Sequence, residues 1–221
     1  MNSRARLDRF LADGRINAIE ADVSWGFVSG APGILLPIMA HPPIEESDLT
    51  FEDWLERSMA GDRVLKVDIK DQTTNRAVLD ILAARDLPPD RFILNADVAL
   101  GPGGDPPIFS PDDAVEWRRR FGEVVISIGC TTGPDRAPYT RAHLDLLLAA
   151  AAAVGEPATV CLDVHRVESD PSVVDRLLAE RRHITLWNQH ATDLATVQRY
   201  RARLPAAFID LFDAVRDPIV D

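Results

Sequence analysis

A chain of 221 residues with a formal net charge of −11 lacks the basic footprint of a general nucleic-acid binder. Its hydrophobic fraction of 46% and charged fraction of 27% are ordinary for a soluble globular protein, and its length suits one large α/β domain or two small ones. Cys130 and Cys161 lack metal-type spacing, which makes a disulfide framework unexpected and a reducing, cytoplasmic setting the default. No apolar run reaches the roughly 18 residues of a membrane span, and the N-terminus leads into a polar helix instead of a signal peptide.

In chain order, Leu7, Phe10 and Leu11 recur at helical spacing, and Asp13-Gly14 stops that helix. A strand is expected from Ile16 to about Trp25, then a turn to Gly33 and a second extended run over 34–40. Together these form a hairpin excursion that ends at His41-Pro42-Pro43, where Pro42 holds His41 out of helical geometry. Thr50, with Asp53 three residues on, resembles a capping box for a helix through Met59. Strands then alternate with helices: strands near 63–69, 91–98, 123–128, 158–165, 183–188 and 206–211, helices near 72–86, 111–120, 140–154, 170–181 and 191–203. That alternation predicts parallel strands with right-handed crossovers in a single domain over 1–221.

Two strands carry unusual charge. Side chains alternate between the faces of a strand, so Glu20 and Asp22 share one face, and Lys66, Asp68 and Lys70 share one face of the next strand. Ile19, Ala21 and Val23, and Leu65, Val67 and Ile69, fill the opposite faces. Buried charge is costly unless paired or metal-bound, so these groups either hold a divalent cation or pair among themselves. Other strands repeat the pattern, with Asn95 and Asp97, Asp163 and His165, and His183, Thr185 and Trp187 on the polar side. A doubly wound sheet is apolar on both faces, whereas a (β/α)8 TIM-like barrel turns one face inward and sets its active groups at the C-terminal mouth. Seven strands suit such a barrel less its first strand, which is expected before residue 1.

The segments Ile19-Glu20-Ala21-Asp22-Val23, Pro37-Ile38-Met39-Ala40-His41-Pro42-Pro43, Asp48 to Leu55, and Lys66-Val67-Asp68-Ile69-Lys70 resemble the menorin-type domain. So do Leu94-Asn95-Ala96-Asp97, Ile128 to Gly133 with Tyr139-Thr140, and Leu186-Trp187. That family is similar to the glycerophosphodiester phosphodiesterase, or PLC-like phosphodiesterase, TIM-barrel superfamily. The resemblance implies that Glu20, Asp22 and Asp68 hold one Mg²⁺ or Ca²⁺, that Lys70 contacts phosphate, and that His41 is one of two acid–base histidines. Hard carboxylate oxygens suit either ion. The family pattern opens on His-Ala-x-Asn-Ser, whereas this chain opens on Met1-Asn2-Ser3 and so lacks the first histidine. Either the natural start lies roughly 10–20 residues upstream, or the histidine and its strand are lost.

Without the resemblance, Glu20, Asp22 and Asp68 read equally as a salt-bridge network with Lys66 and Lys70, and His41 as a loop residue beside a rigid Pro-Pro turn. Lys66 is a salt-bridge partner or a substrate contact. Asn95 and Asp97 line a substrate pocket or tie strand to loop, and Trp187 fills a barrel or forms a substrate platform. Three functions compete. The first is a metal-dependent phosphodiesterase for a small glycerophosphodiester or lysophospholipid. The second is a degenerate barrel that binds a metal, a phosphate ligand or a protein partner without turnover. The third is a barrel enzyme using Lys66 or Lys70 as a Schiff-base amine. Oligomeric state is not legible.

Overall fold

The computed structural model describes residues 2–14, 16–85, 87–133, 137–187, 194–204 and 208–210. The chain packs as two compact units, Met1–Ala96 with Glu116–Ile126, and Asp97–Val115 with Ser127–Asp221.

The first unit opens on helix α1 (Arg4–Ala12), capped where the Ser3 side chain accepts the Arg6 N–H. Strand β1 (Ala18–Val28) turns into antiparallel β2 (Ala31–Met39), which confirms the expected hairpin. A two-residue strand β3 (Glu46–Ser47) then lies parallel to the tip of β1. Helix α2 (Phe51–Met59) starts at Thr50, whose hydroxyl accepts the Asp53 N–H as the spacing predicts. Strand β4 (Val64–Ile69) runs parallel to β1 in the register Glu20↔Lys66 and Asp22↔Asp68. Helix α3 (Gln72–Ala83) follows, and β5 (Phe92–Leu100) pairs parallel with β4, placing Asn95 beside Asp68. Ile19, Ala21, Val23, Leu65, Val67 and Ile69 are all buried, so the predicted apolar faces form the core together with Phe51, Trp54 and Leu55. Each such side chain contributes about 1.5–3 kcal/mol by leaving water.

Helix α4 (Pro111–Phe121) and strand β6 (Val125–Thr131) each contribute residues to both units. The second unit adds α5 (Arg141–Val154), β7 (Ala158–Asp163), α6 (Val164–Ser169), α7 (Ser172–Ala179), β8 (His183–Trp187), α8 (Leu194–Arg203) and β9 (Phe208–Asp210). Strands β7, β8 and β9 pair in parallel. Thr140 caps α5, and His143 completes a reciprocal capping box, its Nδ1 accepting the Thr140 N–H.

One expected boundary is corrected. The strand predicted over 158–165 ends at Asp163, and His165 lies in α6. Asp163 is the helix cap, its carboxylate accepting the His165 N–H, while Val164 and Val167 bury a helical stripe. A cap followed by apolar residues three apart outweighs a two-residue extension of strand alternation.

The strand order is β2-β1-β4-β5-β6-β7-β8-β9, with β3 on β1. Among the described residues β2 and β9 do not pair, so the sheet is open; the fold is α/β with a mostly parallel sheet, and the expected barrel closure is absent here. The N-terminal half of β1, residues 18–22, has β4 on one edge and no strand on the other among the described residues. No helix of the described residues is long and apolar enough to cross a membrane.

Candidate functional site

The parallel register between β1 and β4 turns the two charged stretches into one ladder. Glu20 stands opposite Lys66, and Asp22 opposite Asp68. Lys66 Nζ donates to Glu20 Oε1 at 2.7 Å, with the lysine only 2% exposed and the glutamate 28%. One strand step on, Lys70 Nζ lies 2.9 Å from Asp22 Oδ1 and 2.6 Å from Asp68 Oδ2. A single ammonium thus bridges two carboxylates that would otherwise repel across neighbouring strands. Asn95, buried on β5, donates from Nδ2 to Asp68 Oδ1 at 3.2 Å and fixes that carboxylate from the third strand.

Burial would push the Asp22 carboxyl up. The neighbouring Lys70 ammonium, by charge and by hydrogen bond, and His41 by charge, hold it instead well below the usual carboxylate range. His41 is therefore close enough to Asp22 to act on it electrostatically. Its Nδ1 meets the Pro42 carbonyl oxygen at 2.7 Å. A carbonyl only accepts, so Nδ1 carries the hydrogen, and Nε2 is the nitrogen able to take up or release a proton.

Local structure places these groups. Lys70 directly follows β4, and its own N–H donates to Val23 O at 2.9 Å. Asp71 then caps α3 by accepting the Thr74 N–H at 2.7 Å, and its other oxygen accepts the Trp25 N–H at 3.4 Å. Burial opposes ionisation of Asp71, but hydrogen bonds from Thr73, Thr74 and Trp25 outweigh it and lower the pKa. On the other side, the Ser24 hydroxyl donates to Ala40 O at 3.1 Å, anchoring the residue before His41.

The sequence reading missed Asn2 as a member of this site. Its Nδ2 donates to Asp22 Oδ2 at 3.3 Å, while its Oδ1 is buried without a hydrogen-bond partner among the described residues. The Glu20, Asp22 and Asp68 carboxylates are hard oxygen donors, the type that Mg²⁺ and Ca²⁺ prefer. The arrangement as it stands is a lysine-paired one: among the described residues, no three His, Cys, Asp or Glu side chains converge on a common point.

Two expected site residues lie in the second unit. Asp97, half-buried on β5, packs its carboxylate against Gly129, where an added Cβ would come within 2.2 Å of Asp97 Oδ1. That close approach explains the glycine in Ile128-Gly129-Cys130. Trp187 ends β8, half-buried, in register with Asp163.

A match to the Menorin N-terminal domain covers residues 1–209. The chain belongs to the Menorin N-terminal domain family. Human Protein FAM151B is 33% identical to it over 103 residues, a stretch covering 44% of this chain and 36% of that protein. This menorin domain thus spans little more than a third of that relative's length.

The second unit of the menorin domain holds a buried polar cluster of another kind. Arg166, fully buried, donates to Gly133 O at 2.7 Å and Ala137 O at 2.6 Å, and its Nε lies 3.4 Å from Asp163 Oδ2. The Tyr139 hydroxyl accepts the Asp163 N–H at 2.9 Å. Burial pushes the Tyr139 phenol well up, and it pushes the Cys130 thiol up to about 12. These groups tie loop to strand and present no ionised nucleophile.

Proposed function

We propose that this menorin domain is a metal-dependent phosphodiesterase-like protein of the PLC-like TIM-barrel superfamily. Its substrate would be a glycerophosphodiester or a lysophospholipid-type phosphodiester. The observation that carries the reading is the ladder of Glu20, Lys66, Asp22, Asp68 and Lys70 on two adjacent parallel strands, with His41 at its end.

In this reading Glu20, Asp22 and Asp68 would hold one Mg²⁺ or Ca²⁺. The ion, when bound, supplies Lewis-acid charge to the phosphoryl oxygens. Lys66 orients Glu20, and Asn95 orients Asp68. Lys70, which now bridges Asp22 and Asp68, would contact the substrate phosphate. His41 moves a proton through Nε2 while its Nδ1–H stays on the Pro42 carbonyl.

The test is turnover of a diester panel with and without Mg²⁺ or Ca²⁺, using this chain and an N-terminally extended form. Asp22→Asn and His41→Gln should each abolish at least 99% of any activity. Metal-independent turnover that survives both substitutions would refute the reading. A second reading is a non-catalytic barrel that binds phosphate ligands; Lys70 already neutralising Asp22 and Asp68 favours it. Phosphate binding by both forms, with turnover by neither, would select it.

A further inference from the structure

From Val23 to Ala40 the sequence contains no Asp, Glu, Lys, Arg or His, in a chain that is 27% charged. This stretch is the β1–β2 hairpin, and its far end is apolar on the outside. Phe27 is 40% exposed, Ile34 53%, Leu35 54% and Leu36 38%; Ile44, in the loop leading to β3, is 55% exposed. Successive residues on a strand face opposite ways, so Ile34 and Leu36 lie on one side of β2 and Leu35 on the other, beside its partner Phe27. Both sides of the tip are therefore apolar and solvent-facing. β3 flanks the tip of β1 along one edge, so what stands open is the two faces of the tip.

We infer that this tip docks into a zwitterionic phospholipid surface. The two-sided exposure decides the occupant. A second copy of the chain would add a strand along the open edge of β2 and leave both apolar faces wet, whereas a lipid interface surrounds both. The absence of charge between Val23 and Ala40 removes the cost that charged groups carry when they leave water. The flanking residues Glu45, Glu46 and Asp48 are acidic, as is the whole chain, so an anionic surface is disfavoured and a neutral headgroup layer is the one that fits. Among the described residues no strand pairs with β2 along its outer edge over 31–37. Its backbone groups need polar partners, which sets the depth at the headgroup–acyl boundary instead of the hydrocarbon centre. Trp25, half-buried and in register with Pro37 at the base of the hairpin, suits the same boundary.

The hairpin is also the continuation of the strand that bears Glu20 and Asp22. Phe27 lies five residues beyond Asp22, or about 16 Å along an extended strand. A lipid surface that receives the tip therefore lies about 16 Å from the carboxylate ladder, roughly two to three headgroup layers. The substrate class becomes a phosphodiester presented by a lipid aggregate, such as a choline lysophospholipid. This last step rests on the proposed function; the docking itself does not.

Co-sedimentation with phosphatidylcholine vesicles tests the docking. The chain should partition onto them, and replacing a fraction of the lipid with phosphatidylserine should weaken it. Phe27→Ser with Leu35→Ser should reduce partitioning by roughly tenfold or more, with the cooperative thermal transition retained because both side chains are about half exposed. Equal partitioning of the parent and the double variant would overturn the inference. So would a dimer in sedimentation analysis that the same double substitution dissolves, since a second copy would then be the occupant. Activity separates the two readings. If the variant turns over soluble glycerophosphocholine normally but micellar lysophosphatidylcholine poorly, both stand. Vesicle binding with no turnover of either substrate leaves docking intact and removes the phosphodiesterase.

Discussion

The ladder on β1 and β4 and the cluster around Arg166 are both buried ion-pair systems, yet they are built for opposite ends. Arg166 spends its donors on the carbonyls of Gly133 and Ala137 and on Asp163, with its side chain fully buried. Glu20 and Asp22 instead keep 28% and 20% of their side-chain surface in contact with solvent and pair with lysine ammonium groups. Backbone carbonyls cannot exchange their partner without undoing the loop. An ammonium on a flexible four-carbon stem can swing away and yield its place to another cation. Burial alone does not mark a working site; replaceable partners reached by solvent do.

Arg166→Ala is expected to have the largest effect. Removing it strands Asp163 and two loop carbonyls, at a cost of about 3–5 kcal/mol in urea denaturation at pH 7. Lys in its place should restore only part, because it lacks the planar fork that reaches two carbonyls. Added Mg²⁺ or Ca²⁺ should recover none of it.

Lys70→Met is the contrasting case. Asp22 and Asp68 then face each other without their shared ammonium, and the loss should be smaller, about 1–3 kcal/mol. A divalent cation at a hundred times its dissociation constant should return about 2.7 kcal/mol. If cation leaves this variant as unstable as before, the two regions are alike and the ladder is a structural network.

Acid sharpens the comparison further. The folded pKa of Asp22 lies below its unfolded value, so its stabilisation is complete above about pH 4. It is lost as pH falls through the folded value. Asp22→Asn should therefore flatten the acid limb of the thermal midpoint measured between pH 6 and pH 2.5. An unchanged slope would mean that Lys70 does not hold the carboxylate as the geometry implies.

The smallest effect is chemical. Cys130 and Cys161 are buried, and the Cys130 thiol is pushed up to about 12. At pH 8 both should react with a thiol reagent only as fast as the chain unfolds, and at the free-thiol rate in urea.

Much of this was legible in the sequence because period-two alternation is read directly from residue order. Ile19-Glu20-Ala21-Asp22 and Leu65-Lys66-Val67-Asp68 announce their faces, and the register bears both out. The hairpin, the Thr50 cap and the strand–helix alternation were equally local. Pairing was not. Nothing in residue order says that Lys70 bridges two aspartates, or that Asn2 reaches across to Asp22. Those contacts depend on which strands become neighbours. Helix α6 was missed for a different reason: Asp163 ends a convincing strand and caps a helix at once, and six residues give too few turns to show a period. The parts of expected elements over 188–193, 205–207 and 211 lie outside the described residues.

One strand, β1, carries the acidic pair at its middle and the oily tip at its end. Because neighbouring side chains point to opposite sides, gaining or losing a single residue between Asp22 and Phe27 would swap which side every later group faces. The tip, apolar on both sides, survives such a swap, but Gly26 against Ile38 at its base does not, because any other side chain turned there would overlap Ile38. Drift is therefore free at the end of the hairpin and held to a parity at its foot.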